Sequence, residues 1–217
     1  MLTWLSPDDP PERFPPHERA LRDPPGLLAA GGDLTAERLM AAYARGIFPW
    51  YSLGQPVLWW SPDPREVLLP HEFRCSRSLA RSLRTRGFML YSDRDFPAVV
   101  AACAAPRSGS PGTWITDEMQ QAYCRLHERG HAHSYEIWRA GELIGGLYGV
   151  RLGGVFFGES MFSRESDASK AALAALVDHS AAQGIELIDC QLASGHLRSL
   201  GSRPMPRRQF LSYLPSR

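Results

Sequence analysis

Asp189 and Gln191 stand two residues apart in Glu186-Leu187-Ile188-Asp189-Cys190-Gln191, a run that reads as a strand. Side chains alternate across a strand, so these two share one face and Ile188 and Cys190 share the other. A carboxylate beside an amide is a candidate pair for moving a proton and orienting a nucleophile. Upstream, Gly158-Glu159-Ser160-Met161-Phe162-Ser163 adds further polar and apolar groups, and the two runs together could grip and transfer a small acyl group. Spacing alone favours a plainer reading, the solvent face of an edge strand.

A second candidate is His127-Glu128-Arg129-Gly130-His131, which matches the H-E-x-x-H pattern of zinc peptidases. There, two histidines one helical turn apart bind the metal and the glutamate serves as base. Gly130 stands where this helix should stop, and His131-Ala132-His133 leads into strand alternation. The two histidines would then not share a face, and no metal is expected.

The elements that must position these groups follow from periodicity. Prolines 7, 10, 11, 15, 16, 24 and 25 make the start of the chain an extended segment wrapped over the body. A helix follows over 36–45, with Thr35 as N-cap and Gly46 as stop, then an aromatic segment over 47–60. Ser61-Pro62-Asp63-Pro64-Arg65 reads as a rigid turn, dividing an N-terminal lobe (1–64) from a second domain (65–217). Helices are expected over 77–86, with Leu79 and Leu83 inward, and over 95–104, 117–129 and 168–183. Residues 133–158 alternate with period two and read as an antiparallel meander, and the strand over 186–191 follows the last helix. Meander, helix and strand in that order imply an α+β fold.

Composition fits a globular protein: 217 residues, 44% of them hydrophobic, can bury a sizeable core. Twenty-four Lys+Arg against 23 Asp+Glu leave a net charge of +1, so nucleic-acid binding would need a local patch. Arg77, Arg81 and Arg84 form one such stripe on the 77–86 helix, although a run of this kind is more often an ordinary solvated face. Four scattered cysteines suggest reduced thiols. With no signal-like start or membrane-length apolar run, the expectation is a soluble, cytoplasmic protein with no membrane partner.

Several blocks in one order carry a specific resemblance. They are Gly26–Ala29 with Gly31–Leu34, Gly46–Trp50, Trp59–Arg65, Gly112–Thr116, Gly130–Ser134, Gly158–Ser163, Ile188–Gln191 and Ser199–Gly201. From about Phe14 to Leu214 the sequence resembles the bacterial leucyl/phenylalanyl-tRNA-protein transferases. The resemblance implies a small N-terminal lobe and an acyl-CoA N-acyltransferase-like domain with a mixed, mainly antiparallel sheet. It also implies transfer of Leu or Phe, with Met a further possible donor, from aminoacyl-tRNA to the N-terminal Arg or Lys of proteins, marking them for degradation. Ser163–Ala168 lacks the glycines of a pyrophosphate loop, which disfavours coenzyme A, and no cofactor is expected. The expected state is a monomer.

By the same resemblance Asp189 and Gln191 are the catalytic relay, with Asp189 orienting and deprotonating the attacking amine. Leu147, Phe156, Met161 and Ile188 line the aminoacyl pocket, with Glu159 at its polar margin. Trp50 and Trp114, with Tyr43 and Tyr123 nearby, stack on the terminal adenosine, and Arg77, Arg81 and Arg84 touch tRNA phosphates. Three positions depart from the family pattern: Leu147 in place of methionine, Ser194 in place of asparagine, and Asp167 in place of the asparagine of an N-A-S-K block. The rival readings are a related acyltransferase acting on cell-wall peptides and a non-catalytic binder of aminoacyl-tRNA ends.

Overall fold

In the computed structural model, which describes residues 2–106 and 113–215, two sheets share one protein body. Gly112 of the Gly112–Thr116 block lies outside the described residues. The strands are β1 (Thr3–Leu5), β2 (Leu27–Gly31), β3 (Phe48–Pro49), β4 (Leu58–Trp60), β5 (Arg65–Leu68), β6 (Met89–Ser92), β7 (Ala132–Arg139), β8 (Glu142–Leu152), β9 (Val155–Ser163), β10 (Leu187–Gln191) and β11 (Arg203–Met205). The helices are α1 (Ala36–Tyr43), α2 (Arg77–Thr85), α3 (Phe96–Ala104), α4 (Asp117–Glu128), α5 (Ala168–Gln183), α6 (Gly195–Ser199) and α7 (Arg207–Leu211). The first sheet runs β1-β2-β4-β3 and the second β11-β5-β10-β9-β8-β7-β6. In the second, β9 and β10 are parallel and the other pairs antiparallel, so the α+β class and the mixed, mainly antiparallel sheet stand as expected.

Alternation sorts the side chains of the large sheet into two cores. Phe157 and Leu187 face a core made with α3, α4 and the N-terminal sheet, and their neighbours Phe156 and Ile188 face one made with α5. The N-terminal sheet therefore has no separate core: Trp59 and Tyr43 are buried in the same cluster as Tyr123 and Phe157. Hydroxyl caps start four of the helices, with Thr35, Ser76, Thr116 and Ser194 each accepting the backbone N–H three residues on. The Pro-rich start is held down by two arginines of the α1 region. Arg38 donates to the carbonyls of Asp9 (2.8 Å) and Pro7 (3.4 Å), and Arg45 to that of Phe14 (3.1 Å).

Two expectations change. Leu83 is exposed rather than inward, because Ser82 takes the buried position on α2 and donates to Asp167 at 2.8 Å. The alternation of β10 fails at its end: a bulge shifts the register between Asp189 and Gln191, and Gln191 adopts φ 60°. Asp189 and Gln191 therefore do not simply share a face.

The H-E-x-x-H histidines are separated as their sequence suggested. The helix ends at Glu128 and Gly130 turns at φ 76°, which leaves His131 outside it. His127 stacks on Phe96 at 4.3 Å, and its Nδ1 donates to the Ala132 carbonyl at 2.8 Å.

Candidate active site

The parallel strands β9 and β10 pair only from Val155–Phe157 to Leu187–Asp189 and then part. Between the parted ends lies a cavity of about 860 Å³, lined by both strands together with residues of α3, α5 and α6. Leu147, Phe156, Met161 and Ile188 contribute apolar walls, Trp114 an aromatic one, and Glu159, Asp189 and Gln191 the polar end. Eight of the residues singled out from the sequence thus meet in one place.

Asp189 is fully buried, with Oδ1 and Oδ2 accepting from Arg65 Nε (2.8 Å) and Nη2 (2.6 Å). The guanidinium, itself 1% exposed, is sandwiched between the rings of Phe48 (4.6 Å) and Phe210 (4.8 Å). Oδ1 also accepts the backbone N–H of Gln191 at 2.9 Å, which secures the bulge and its positive φ. This arrangement bears on the expected Asp189–Gln191 relay, since the carboxylate of Asp189 sits in a buried ion pair and bonds to Gln191. Both oxygens are committed to a cation and no carboxylate surface is open to a substrate. Arg65 was missed from the sequence, although a carboxylate flanked by Leu187, Ile188 and Cys190 already required a buried cationic partner.

Glu159 is the second carboxylate at the polar end of the cavity. Its Oε2 accepts from Tyr123 Oη at 2.6 Å and its Oε1 from Gln191 Nε2 at 3.0 Å. Burial raises its pKa to about 7, the Tyr123 and Tyr43 hydroxyls draw it back, and the neighbouring charges of Asp189 and Arg65 oppose one another. A carboxyl poised near neutrality at a cavity wall has the ionisation a general base needs.

Tyr43 and Tyr123, expected near the stacking tryptophans, reach the site through their hydroxyls. Both are fully buried, so neither ring has a face for a base, and their hydroxyls meet at 2.8 Å behind Glu159. Trp50 is 39% exposed and packs on Trp60 at 5.5 Å, away from the cavity lining. Arg77, Arg81 and Arg84 are exposed on α2, and Ser82 and Arg86 bind that helix to Asp167 and Ser166 at the start of α5, whose Ser169 and Leu173 line the cavity. Ser194 caps α6, accepting from Leu197 N at 3.1 Å, and Asp167 pairs with Lys170 at 2.9 Å. Cys190 also lines the cavity, but burial and the charges of Asp189 and Glu66 push its thiol far up, which rules it out as a nucleophile at neutral pH.

Comparison with known proteins makes the chain a transferase enzyme. Residues 67–215 match the family model described as leucyl/phenylalanyl-tRNA protein transferase, and residues 32–63 match the model of that family's N-terminal domain. A leucyl/phenylalanyl-tRNA–protein transferase of Pseudomonas entomophila (strain L48) is 59% identical, the alignment covering 99% of this chain and 94% of the relative. One from Pseudomonas putida (strain W619) is 58% identical with the same coverage. Among solved structures, a GCN5-related N-acetyltransferase from Kribbella flavida overlaps 77% of this chain and 60% of its own at 11% identity and TM-score 0.43, too distant a likeness to argue from. The chain belongs to the leucyl/phenylalanyl-tRNA–protein transferase family. Among the described residues, no helix is long and apolar enough to cross a membrane.

Proposed function

We propose that this enzyme moves leucine or phenylalanine from charged tRNA to the N-terminal Arg or Lys of a protein, marking it for degradation. The observation that carries the reading is a buried carboxylate with a pKa of about 7, held by Tyr123 and Gln191 at the wall of an apolar cavity. The reaction is aminolysis of an ester. A neutral α-amine attacks the aminoacyl carbonyl, an N–H proton passes to Glu159, and the ribose oxygen leaves and takes a proton. Because an activated ester is already poised to form an amide, holding the reactants in register supplies much of the acceleration.

In this reading Leu147, Phe156, Met161 and Ile188 hold the Leu or Phe side chain, and a blunt apolar wall gains little from smaller residues. Gln191 orients the reacting groups beside Glu159, while the Arg65–Asp189 pair fixes Gln191. Trp114 and Trp50 stack on the single-stranded tRNA end, and Arg77, Arg81 and Arg84 contact phosphates. The lobes divide near residue 64, with the acyl-transfer chemistry in the second.

The test is transfer of labelled leucine from charged tRNA to peptides beginning with Arg or Ala, using wild type and Glu159→Gln. Transfer to the Arg peptide alone, with a large drop in kcat for the variant, supports the reading. Transfer to neither peptide by wild type refutes it and points to another acyl acceptor or to binding alone.

A further inference from the structure

Tyr43 reaches the site from the N-terminal lobe, yet nothing in the proposed chemistry uses it. Its hydroxyl lies 2.8 Å from that of Tyr123, which donates to Glu159 Oε2 at 2.6 Å. With Tyr123 committed to Glu159, the hydrogen between the two phenols must come from Tyr43. The ordered chain is Tyr43 to Tyr123 to Glu159. Reversing it would turn the Tyr123 hydrogen away from Glu159 Oε2, its acceptor at 2.6 Å.

The other oxygen of Glu159 has a different partner. Oε1 accepts from the side-chain amide of Gln191, which can rotate to present its oxygen instead. One oxygen of the carboxylate therefore faces a one-way donor chain and the other a partner that can switch. We propose that Tyr43 is a positioning residue that, through Tyr123, holds Glu159 Oε2 as an acceptor, so that Oε1 on the Gln191 side takes the substrate proton. This rests on the proposed role of Glu159. It also gives the N-terminal lobe a part in the chemistry of the larger domain, across a shared core rather than a hinge.

The groups facing Glu159 come from every element around it: Tyr43 of α1, Tyr123 of α4, Tyr148 of β8, Asp189 of β10 and Arg65 of β5. Tyr148 Oη is buried with no hydrogen-bond partner among the described residues, and its ring meets Tyr123 edge-on at 5.2 Å. Tyr148 thus packs the chain without donating to it, which makes Tyr148→Phe a control of similar burial.

The experiment titrates the Glu159 carboxyl by carbon-13 NMR, without substrate, in wild type, Tyr43→Phe and Tyr148→Phe, beside pH profiles of kcat/KM. Loss of the supporting hydroxyl should raise the Glu159 midpoint by roughly half a unit to one unit, with little change for Tyr148→Phe. Transfer by Tyr43→Phe should then fall roughly three- to tenfold below wild type at pH 6 and converge with it at alkaline pH. Tyr123→Phe, which removes the direct donor, should shift the midpoint further. A Tyr43→Phe midpoint equal to that of wild type overturns the proposal, whether transfer is unchanged or lowered uniformly across pH. Because the titration needs no turnover, failure of wild type to transfer would refute the proposed function separately.

Discussion

Replacing Arg65 by Met should strand Asp189 as a buried charge. The carboxylate is fully buried, and both its oxygens bond to a guanidinium that is 1% exposed, at 2.8 and 2.6 Å. Breaking a buried pair by removing one partner costs about 3–5 kcal/mol, whereas replacing both by apolar groups of similar volume is often neutral. The double variant Arg65→Met, Asp189→Leu also forfeits the Gln191 N–H bond, worth about 1 kcal/mol, and so should lie within roughly 2 kcal/mol of wild type. With a urea m-value of roughly 2 kcal/mol/M, each single variant should lower the unfolding midpoint by about 1.5–2.5 M and the double by no more than about 1 M. Transfer activity should separate from stability: the double variant folds but stays inactive, because nothing then holds Gln191 at φ 60° beside Glu159. Urea unfolding of the four proteins, paired with the leucine transfer assay, reads both. Single variants that each cost under about 1 kcal/mol, or a double variant costing the sum of the singles, would refute the reasoning.

Stability should also report Glu159. Its folded pKa of about 7 lies above the ordinary value of 4.5 for a glutamate, so its contribution is present in full below pH 4.5 and lost as pH rises through 7. Wild type should therefore lose about 3 kcal/mol more than Glu159→Gln between those limits. Comparing the two also cancels opposing groups such as His17, whose pKa is lowered to about 4 by burial. Trp114→Ala should raise the KM for charged tRNA by the roughly 1–3 kcal/mol of one stacked base, measured by steady-state kinetics. Replacing Arg77, Arg81 and Arg84 together by Ala should flatten the log–log salt dependence of tRNA binding by roughly 2–3, with an unchanged slope counting against phosphate contact. Gly145→Ala should destabilise by about 1–3 kcal/mol in thermal unfolding, because the new methyl would stand 2.4 Å from Ala168 Cβ.

The elements that were legible in the sequence are those with a sustained period. The meander over β7–β9 and the helix α4 alternate or repeat over enough residues to show which side faces the core, and α5 is bounded by a clear glycine stop. The strands of the N-terminal sheet were not legible. They are two to five residues long, β2 is buried throughout, and prolines surround them, so no alternation could show. At the site, residue types pointed to groups that the structure gathers at one cavity, while their partners were hidden. Tyr43 and Tyr123 read as neighbours of the stacking tryptophans, and burial leaves only their hydroxyls to reach the site. Asp189 read as a base because its counter-ion comes from 124 positions away, a pairing that spacing does not encode. Gln191 required a bulge, which breaks the rule by which strands are read.

The sandwich of Arg65 between Phe48 and Phe210 has a consequence for synthesis. The guanidinium belongs to the first residue of β5, but its carboxylate lies on β10 and one of its covering rings on α7. A chain emerging from the ribosome cannot neutralise Arg65 or seat Gln191 until Asp189 is free, nor cover the pair until Phe210 follows. The buried pair that fixes Gln191 is thus among the last parts of the site that the order of synthesis allows to form.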